Sequence, residues 1–433
     1  MISKSIIGAT LGLALLAACG ETDVILPGER LSIRPDAAIV NETRGIRLPA
    51  QVSNANWTHR NGGPDHRTTH PALSPGLAPV FAVNIGEGDS RKARITADPV
   101  VSGGVIYTLD ARSRVSATTT AGQPVWSSDL TPRSDGATDA SGGGIAVGGN
   151  TVFVTTGFGE LTALDASTGA IFWRQDLDAP GTSAPTVFGD LVYVVSRDNT
   201  AWAIDVTTGR IRWTLAGTPS VGNFSGGAGA AVTSDIAIFP FGSGEVIATF
   251  PQGGLRRWST VVTGERLGQA AANISDIAGD PVIDGNTVYV GNFSGRVVAM
   301  NVANGERLWT ASEGTLSPVW PAGDSVFLVN DLNELVRLDA ATGIPVWKTA
   351  LPSEVASGLL FRTNRSVVAH YGPVLAGGRL IVGSSDGLMR EFDPQSGALI
   401  GTAEISGGAA SNPVVAGQTL YVVSKAGQLV AFR

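Results

Sequence analysis

The chain has four histidines, and three of them, His59, His66 and His70, cluster with Asp65 in one short stretch. Imidazoles and a carboxylate at that density are the raw material of a metal site. Their spacings match no zinc pattern, and the surrounding stretch is rich in Pro and Gly, so the expectation is a set of solvent-exposed loop histidines. Ser366 and His370 bring a nucleophile and a base near each other, but no third partner or elbow motif completes a triad. Gly142-Gly143-Gly144 and Gly226-Gly227 lack the following helix whose N-terminus would cradle a phosphate, and read as turns or strand starts. No catalytic residue, metal or cofactor is therefore expected. The one cysteine, Cys19, excludes an intramolecular disulfide and a cysteine-based zinc site. The net charge is 30 − 37 = −7, which leaves no positive excess for nucleic-acid phosphates.

Cys19 has a context of its own. It follows an apolar run, Ile6 to Ala18, that is short for a membrane span and fits the core of a secretion signal behind Lys4. The run ends in Leu16-Ala17-Ala18-Cys19-Gly20, which resembles a bacterial lipobox. In that motif the cysteine is acylated and becomes the first mature residue; the plainer alternative is an ordinary signal peptide with an incidental cysteine. Residues 1–18 are thus expected to be a lipoprotein signal peptide. Residues 19–50 read as a lipidated tether, in which Val24-Ile25-Leu26 is the piece best suited to pack as a strand. Gly20, rather than Asp, after the cysteine implies the periplasmic face of the outer membrane.

The elements that must position any site come from an internal repeat over residues 51–433. A strand ending in Pro-Val or its equivalent, a turn, a strand such as Val-Tyr-Val, a turn, Leu-x-Ala-Leu-Asp, then Thr-Gly and a strand ending in Trp recurs around 151–173, 191–213, 287–309, 325–347 and 379–400. Trp126, Trp173, Trp213, Trp258, Trp309 and Trp347 mark six copies, and Ile400 is placed in the same slot of a seventh. A period of about 44 residues suits one four-stranded blade. The last copy stops after Leu429-Val430-Ala431-Phe432, and Pro79–Asn84, with Phe81 in the tryptophan slot, supplies its missing strand. The expected fold is all-β: an eight-bladed β-propeller of four-stranded antiparallel blades, closed by an N-terminal strand that completes the C-terminal blade. The 56 glycines and only 15% charged residues fit so many turns and buried strands. The repeat Asp is expected to accept backbone N–H groups in its turn, and the Trp to cover a neighbouring repeat's turn.

The Leu-Asp-Ala-x-Thr-Gly-x-x-x-Trp pattern over residues 79–433 resembles pyrroloquinoline-quinone-type propellers. With the lipobox-like Leu16–Cys19 and the segment from Asn56-Trp57 to His66, the whole chain resembles the BamB family of outer-membrane assembly lipoproteins. That resemblance implies a non-catalytic scaffold of the BAM complex that binds the POTRA domains of BamA and helps deliver unfolded outer-membrane proteins. It also implies a partner surface on two connectors, here Ser220 and Val221 in one and Ser275, Asp276 and Ile277 in the other. The family's arginine is absent from the first, and Ala278 replaces its second acid in the other. The alternative is a periplasmic pyrroloquinoline-quinone-dependent dehydrogenase, which needs calcium ligands and a base that the repeats do not display.

Overall fold

The structure, a computed structural model, describes residues 41–181, 183–220, 227–262, 264, 276–357 and 364–433. Cys19, Val221 and Ser275, with the expected signal peptide and most of the expected tether, lie outside the described residues.

Thirty-two of the strands form eight four-stranded antiparallel sheets, and two more form a hairpin between the sixth and seventh. Blades 1 to 7 occupy residues 100–129, 143–176, 186–216, 231–261, 277–311, 320–350 and 370–404 in chain order. Blade 8 joins Val414–Ala416, Thr419–Ser424 and Gln428–Phe432 to Pro79–Asn84. Asn84 pairs with Gln428 and Pro79 with Phe432, so the chain closes its own ring as expected and leaves no open sheet between its ends. The fourth strand of a typical blade, such as Ile171–Asp176, alternates exposed and half-buried residues and lies on the circumference. First strands are largely buried and touch those of neighbouring blades, so they surround the axis.

Neighbouring blades are stapled by the repeat tryptophans. Each indole lies over the turn glycine of the next blade, and its Nε1 donates to a backbone carbonyl three residues before that glycine. Trp126 donates to Ala166 O at 3.0 Å, Trp173 to Val206 O at 3.0 Å and Trp309 to Ala340 O at 2.8 Å. A Cβ on Gly209 would sit 2.7 Å from the Trp173 ring, and its φ of +69° is itself a glycine conformation. Within the turns Asp165 Oδ1 accepts the N–H groups of Ser167 and Thr168, as expected of the repeat aspartate. Phe81 takes the tryptophan's place over Gly122.

The seventh slot differs from the expectation. In register it is Gly401, opposite Glu391, that corresponds to the tryptophans, while Ile400 is 58% exposed. A bulky ring has no room there, because Glu391 reaches across from the paired strand and forms a buried ion pair with Arg379. Arg379 in turn donates to Ser74 O at 2.6 Å. The staple at this seam is thus an arginine gripping the N-terminal segment, since the fourth strand of blade 8, Pro79–Asn84, comes from elsewhere in the chain and no turn joins it to Gln428–Phe432.

Candidate functional site

The inner strand of every propeller blade is a sheet edge, and its backbone donors point at the axis without partners of their own. Residues 52–72 cross one mouth of the ring as a strap that supplies those partners. One position recurs in the first strand of each blade, just before its turn: Val101, Val147, Val187, Val232 and Ile283 in blades 1 to 5. Their N–H groups donate in order to Trp57 O, Thr58 O, His59 Nε2, Pro64 O and Asp65 O, all within 2.7–3.0 Å. In blade 6 the position is Pro321, which has no N–H to satisfy. There Trp57 stacks on Trp320, with ring centroids 6.2 Å apart. Asn54 Nδ2 donates to Val415 O of blade 8 at 2.7 Å, and Gly378 N of blade 7 donates to His70 Nε2 at 2.9 Å. The strap therefore touches all eight blades. Its bend holds Asn61 and His66 at φ of +58° and +57°, a backbone cost that the ring's bonds offset. Residues 41–45 already lie on the ring, where Glu42 N donates to Val346 O and the buried Arg337 donates to Arg44 O.

The three clustered histidines belong to this strap and are 4%, 1% and 2% exposed, so the expectation of solvent-exposed loop histidines is wrong. They form no metal set: among the described residues no three His, Cys, Asp or Glu side chains converge on a point. His59 Nε2 accepts from Val187, His66 Nδ1 donates to Pro281 O at 3.0 Å, and His70 Nδ1 donates to Pro49 O at 2.7 Å. Burial, reinforced by His66 nearby, pushes the His59 pKa down to about 3. Burial also lowers that of His66, against the attraction of Asp280.

From the strap, Arg60 reaches down the axis. Its Nε lies 3.2 Å from Asp98 Oδ2 and 3.1 Å from Asp280 Oδ2. Asp98 is fixed further by Asn412, whose backbone N and Nδ2 donate to it at 2.7 and 2.8 Å. Asp280 is fixed by Gly229 N. These groups occupy one layer of the ring, three residues before the strap-bound position of each blade: Asp98, Gly144, Ala184, Gly229, Asp280, Pro318, Gly372 and Asn412 in blades 1 to 8. Small residues in five of the eight leave the axial space that one guanidinium fills. Burial opposes the charge on Arg60, but Asp280 and Asp98 outweigh it and raise its pKa. Burial raises the Asp98 pKa, and Arg60 and Asn412 only partly offset that. Sequence reasoning missed this layer. Its signal was the residue just before Pro-Val, which is Asp98, Asp280 and Asn412 in three repeats.

Above Arg60 the other mouth of the ring opens as a funnel of about 560 Å³. Its wall includes Asp89, Arg94, Leu316, Val367 and Tyr371. The long connectors between blades 3 and 4, 4 and 5, and 6 and 7 follow fourth strands, as does the hairpin of Glu354–Ser357 and Asn364–Val367. Val367 is 77% exposed beside the funnel. Of the expected partner residues, Ser220 is half-buried at the start of the first connector. Asp276 is buried in the second, and Ile277 is a core residue of blade 5 paired with Asn292. His370 donates or accepts with Ser384 Oγ at 2.7 Å and meets Pro352 O at 2.9 Å, while Ser366 Oγ faces Val355 O, so the two do not form a dyad.

The dehydrogenase alternative needs calcium and a quinone at the axis. The residues there do not fit that pair: Asp98 and Asp280, the carboxylates of the axial layer among the described residues, are committed to Arg60, and Arg60 already supplies the positive charge a cation would bring. Fold and site together define a propeller of pyrroloquinoline-quinone-like repeats whose axis is filled by its own strap. A family model described as outer membrane protein assembly factor BamB matches residues 111–349 and 361–433. The chain belongs to that family. It is 26% identical to the outer membrane protein assembly factor BamB of Shewanella oneidensis over 98% of this chain and 97% of that one. Among solved structures, BamB from Moraxella catarrhalis superposes with a TM-score of 0.67 at 20% identity, covering 82% of this chain and 99% of that one. The quinohemoprotein alcohol dehydrogenase of Comamonas testosteroni reaches 0.65 at 14% identity over 87% and 80%, a likeness of fold alone.

Proposed function

We propose that this chain is a non-catalytic scaffold of outer-membrane protein assembly. In this reading Cys19 is lipidated and holds the ring at the periplasmic face of the outer membrane, and the funnel face docks the POTRA domains of BamA while unfolded barrel proteins are handed on. The observation that carries it is a family match running round a ring whose axis holds its own arginine where a cofactor would sit. The funnel face suits docking because Leu316 and Val367 expose apolar side chains there, next to the carboxylates of Asp89 and Asp331. Ser220 and the segment around Val221 and Ser275 flank the docking connectors; Asp276 and Ile277 act by holding the second connector rather than by presenting a surface.

The test is an affinity pull-down from solubilised outer membranes. Recovery of the barrel-assembly proteins with this chain, and their loss with Val367→Asp, supports the scaffold. Dye reduction by the purified chain with pyrroloquinoline quinone and calcium overturns it.

A further inference from the structure

Three of the chain's four histidines stand on the strap, and each is bonded to the backbone of the ring or of the strap's own approach. Two of these bonds use Nε2 as an acceptor: from Val187 N of blade 3 to His59 and from Gly378 N of blade 7 to His70, both at 2.9 Å. An imidazole accepts an N–H only through an unprotonated nitrogen. Once protonated, the same nitrogen carries a proton aimed at another donor, inside a site from which water is excluded. We propose that the strap is an acid-released latch, which leaves the axis when His59 is protonated while the eight blades stay folded.

The groups facing these rings point the same way. His59 faces Thr58 Oγ1 and, at longer range, His66. His66 faces Pro281 O and the charges of Asp280, Arg60 and Asp65. His70 faces Pro49 O and lies next to the turn gripped by Arg379, whose charge Glu391 neutralises. None of these contacts gives His59 a carboxylate to welcome a proton. Arg60 also loses hold in acid, because protonation of Asp98, whose pKa burial raises, removes one of its two anchors. The blades do not depend on these groups: five apolar clusters join neighbouring blades at the seams from blade 1 to blade 6, and none of them contains a strap residue. What remains on the strap in acid is backbone bonding at blades 1, 2, 4 and 5, and at its two ends, where Gly377 N of blade 7 donates to Pro71 O and Gly417 N of blade 8 to Asn54 O.

With the His59 pKa at about 3 on the ring and 6.5 off it, the release equilibrium at pH 4.5 rises about a hundredfold from this residue alone. The test is hydrogen exchange of the full chain in detergent micelles at pH 7.5 and 4.5, with exchange times corrected for the intrinsic pH dependence. The expected result is loss of protection at pH 4.5, by tenfold or more, in residues 52–72 and at the Val187 and Gly378 amides, with the outer strands unchanged (roughly one pH unit of linkage or better). A His59→Gln, His70→Gln double variant offers an amide oxygen to the same two N–H groups and should keep its protection at pH 4.5. Unchanged strap protection in the parent chain at pH 4.5 overturns the latch. So does equal loss in the double variant, which would place the release on the carboxylates around Arg60. Should the double variant not fold, the parent chain decides through its tryptophan fluorescence, since Trp57 is stacked and buried. A reversible change between pH 6.5 and 4 confined to the strap supports the latch, and a change only on global unfolding sinks it.

Discussion

Replacing Arg60 by methionine keeps the stem that fills the axis and removes the charge between Asp98 and Asp280. Asp280 has no exposed side-chain surface and Asp98 has 6%, so neither carboxylate can turn to water. Taking one partner from a buried ion pair costs about 3–5 kcal/mol, against well under 1 for most exposed pairs. Here the strap can lift and admit water, which places the expected loss near the lower end, about 3 kcal/mol at pH 7. The pH dependence carries the diagnosis. Burial raises the Asp98 pKa above its unfolded value even with Arg60 present, and without Arg60 nothing but Asn412 opposes the rise. A carboxyl whose folded pKa is raised binds protons more readily in the folded state. It therefore weakens folding at neutral pH and stops doing so as the pH falls to the unfolded value. The penalty of Arg60→Met should be largest at pH 7 and shrink towards pH 4. Denaturant unfolding followed by tryptophan fluorescence, at several pH values for both chains, reads this directly. Adding Asp98→Asn should recover part of the loss at pH 7. A penalty below about 1 kcal/mol at pH 7, or one that does not change with pH, would refute Arg60 as the axial counter-charge.

Gly209→Ala forces a Cβ into the Trp173 ring at a positive φ and should cost about 2 kcal/mol or more in the same unfolding assay, whereas Gly189→Ala, at φ +63° with open space around it, should cost less. The parent chain should lose stability as the pH falls below 6.5, because the unfolded His59 and His66 gain protons that their folded counterparts refuse; a stability flat from pH 7 to 5 counts against their burial. Cys19→Ala should move the protein from the membrane fraction to the soluble periplasmic fraction, and its retention in membranes would count against lipid as the anchor. Val367→Asp should leave the melting temperature unchanged, since the side chain is exposed, while lowering recovery of barrel-assembly proteins in the pull-down.

The blade number was legible in the chain because a blade is a local object. Strand, turn and strand follow one another within some 44 residues, so apolar alternation, Thr-Gly turns and tryptophans repeat at that period. Ring closure was legible for the same reason, since Phe81 completes a pattern that Phe432 leaves unfinished. The seventh slot was misread by one residue, because Leu399, Ile400 and Gly401 satisfy the local pattern equally; the Arg379–Glu391 pair, which belongs to the seam and not to the strand, decides it. The axis was not legible at all. Asp98 and Asn412 are neighbours there although 314 positions apart in the chain, and each repeat contributes a single residue to the layer. The strap has no period of its own. Its histidines looked like surface residues because nothing local buries them; they are buried because eight inner strands converge and leave unpaired N–H groups at one mouth. Sequence periodicity determined how many blades there are and how they join. Only the closed ring determined what fills the centre, because a requirement for hydrogen-bond and charge partners at an axis exists only once all eight edges face it.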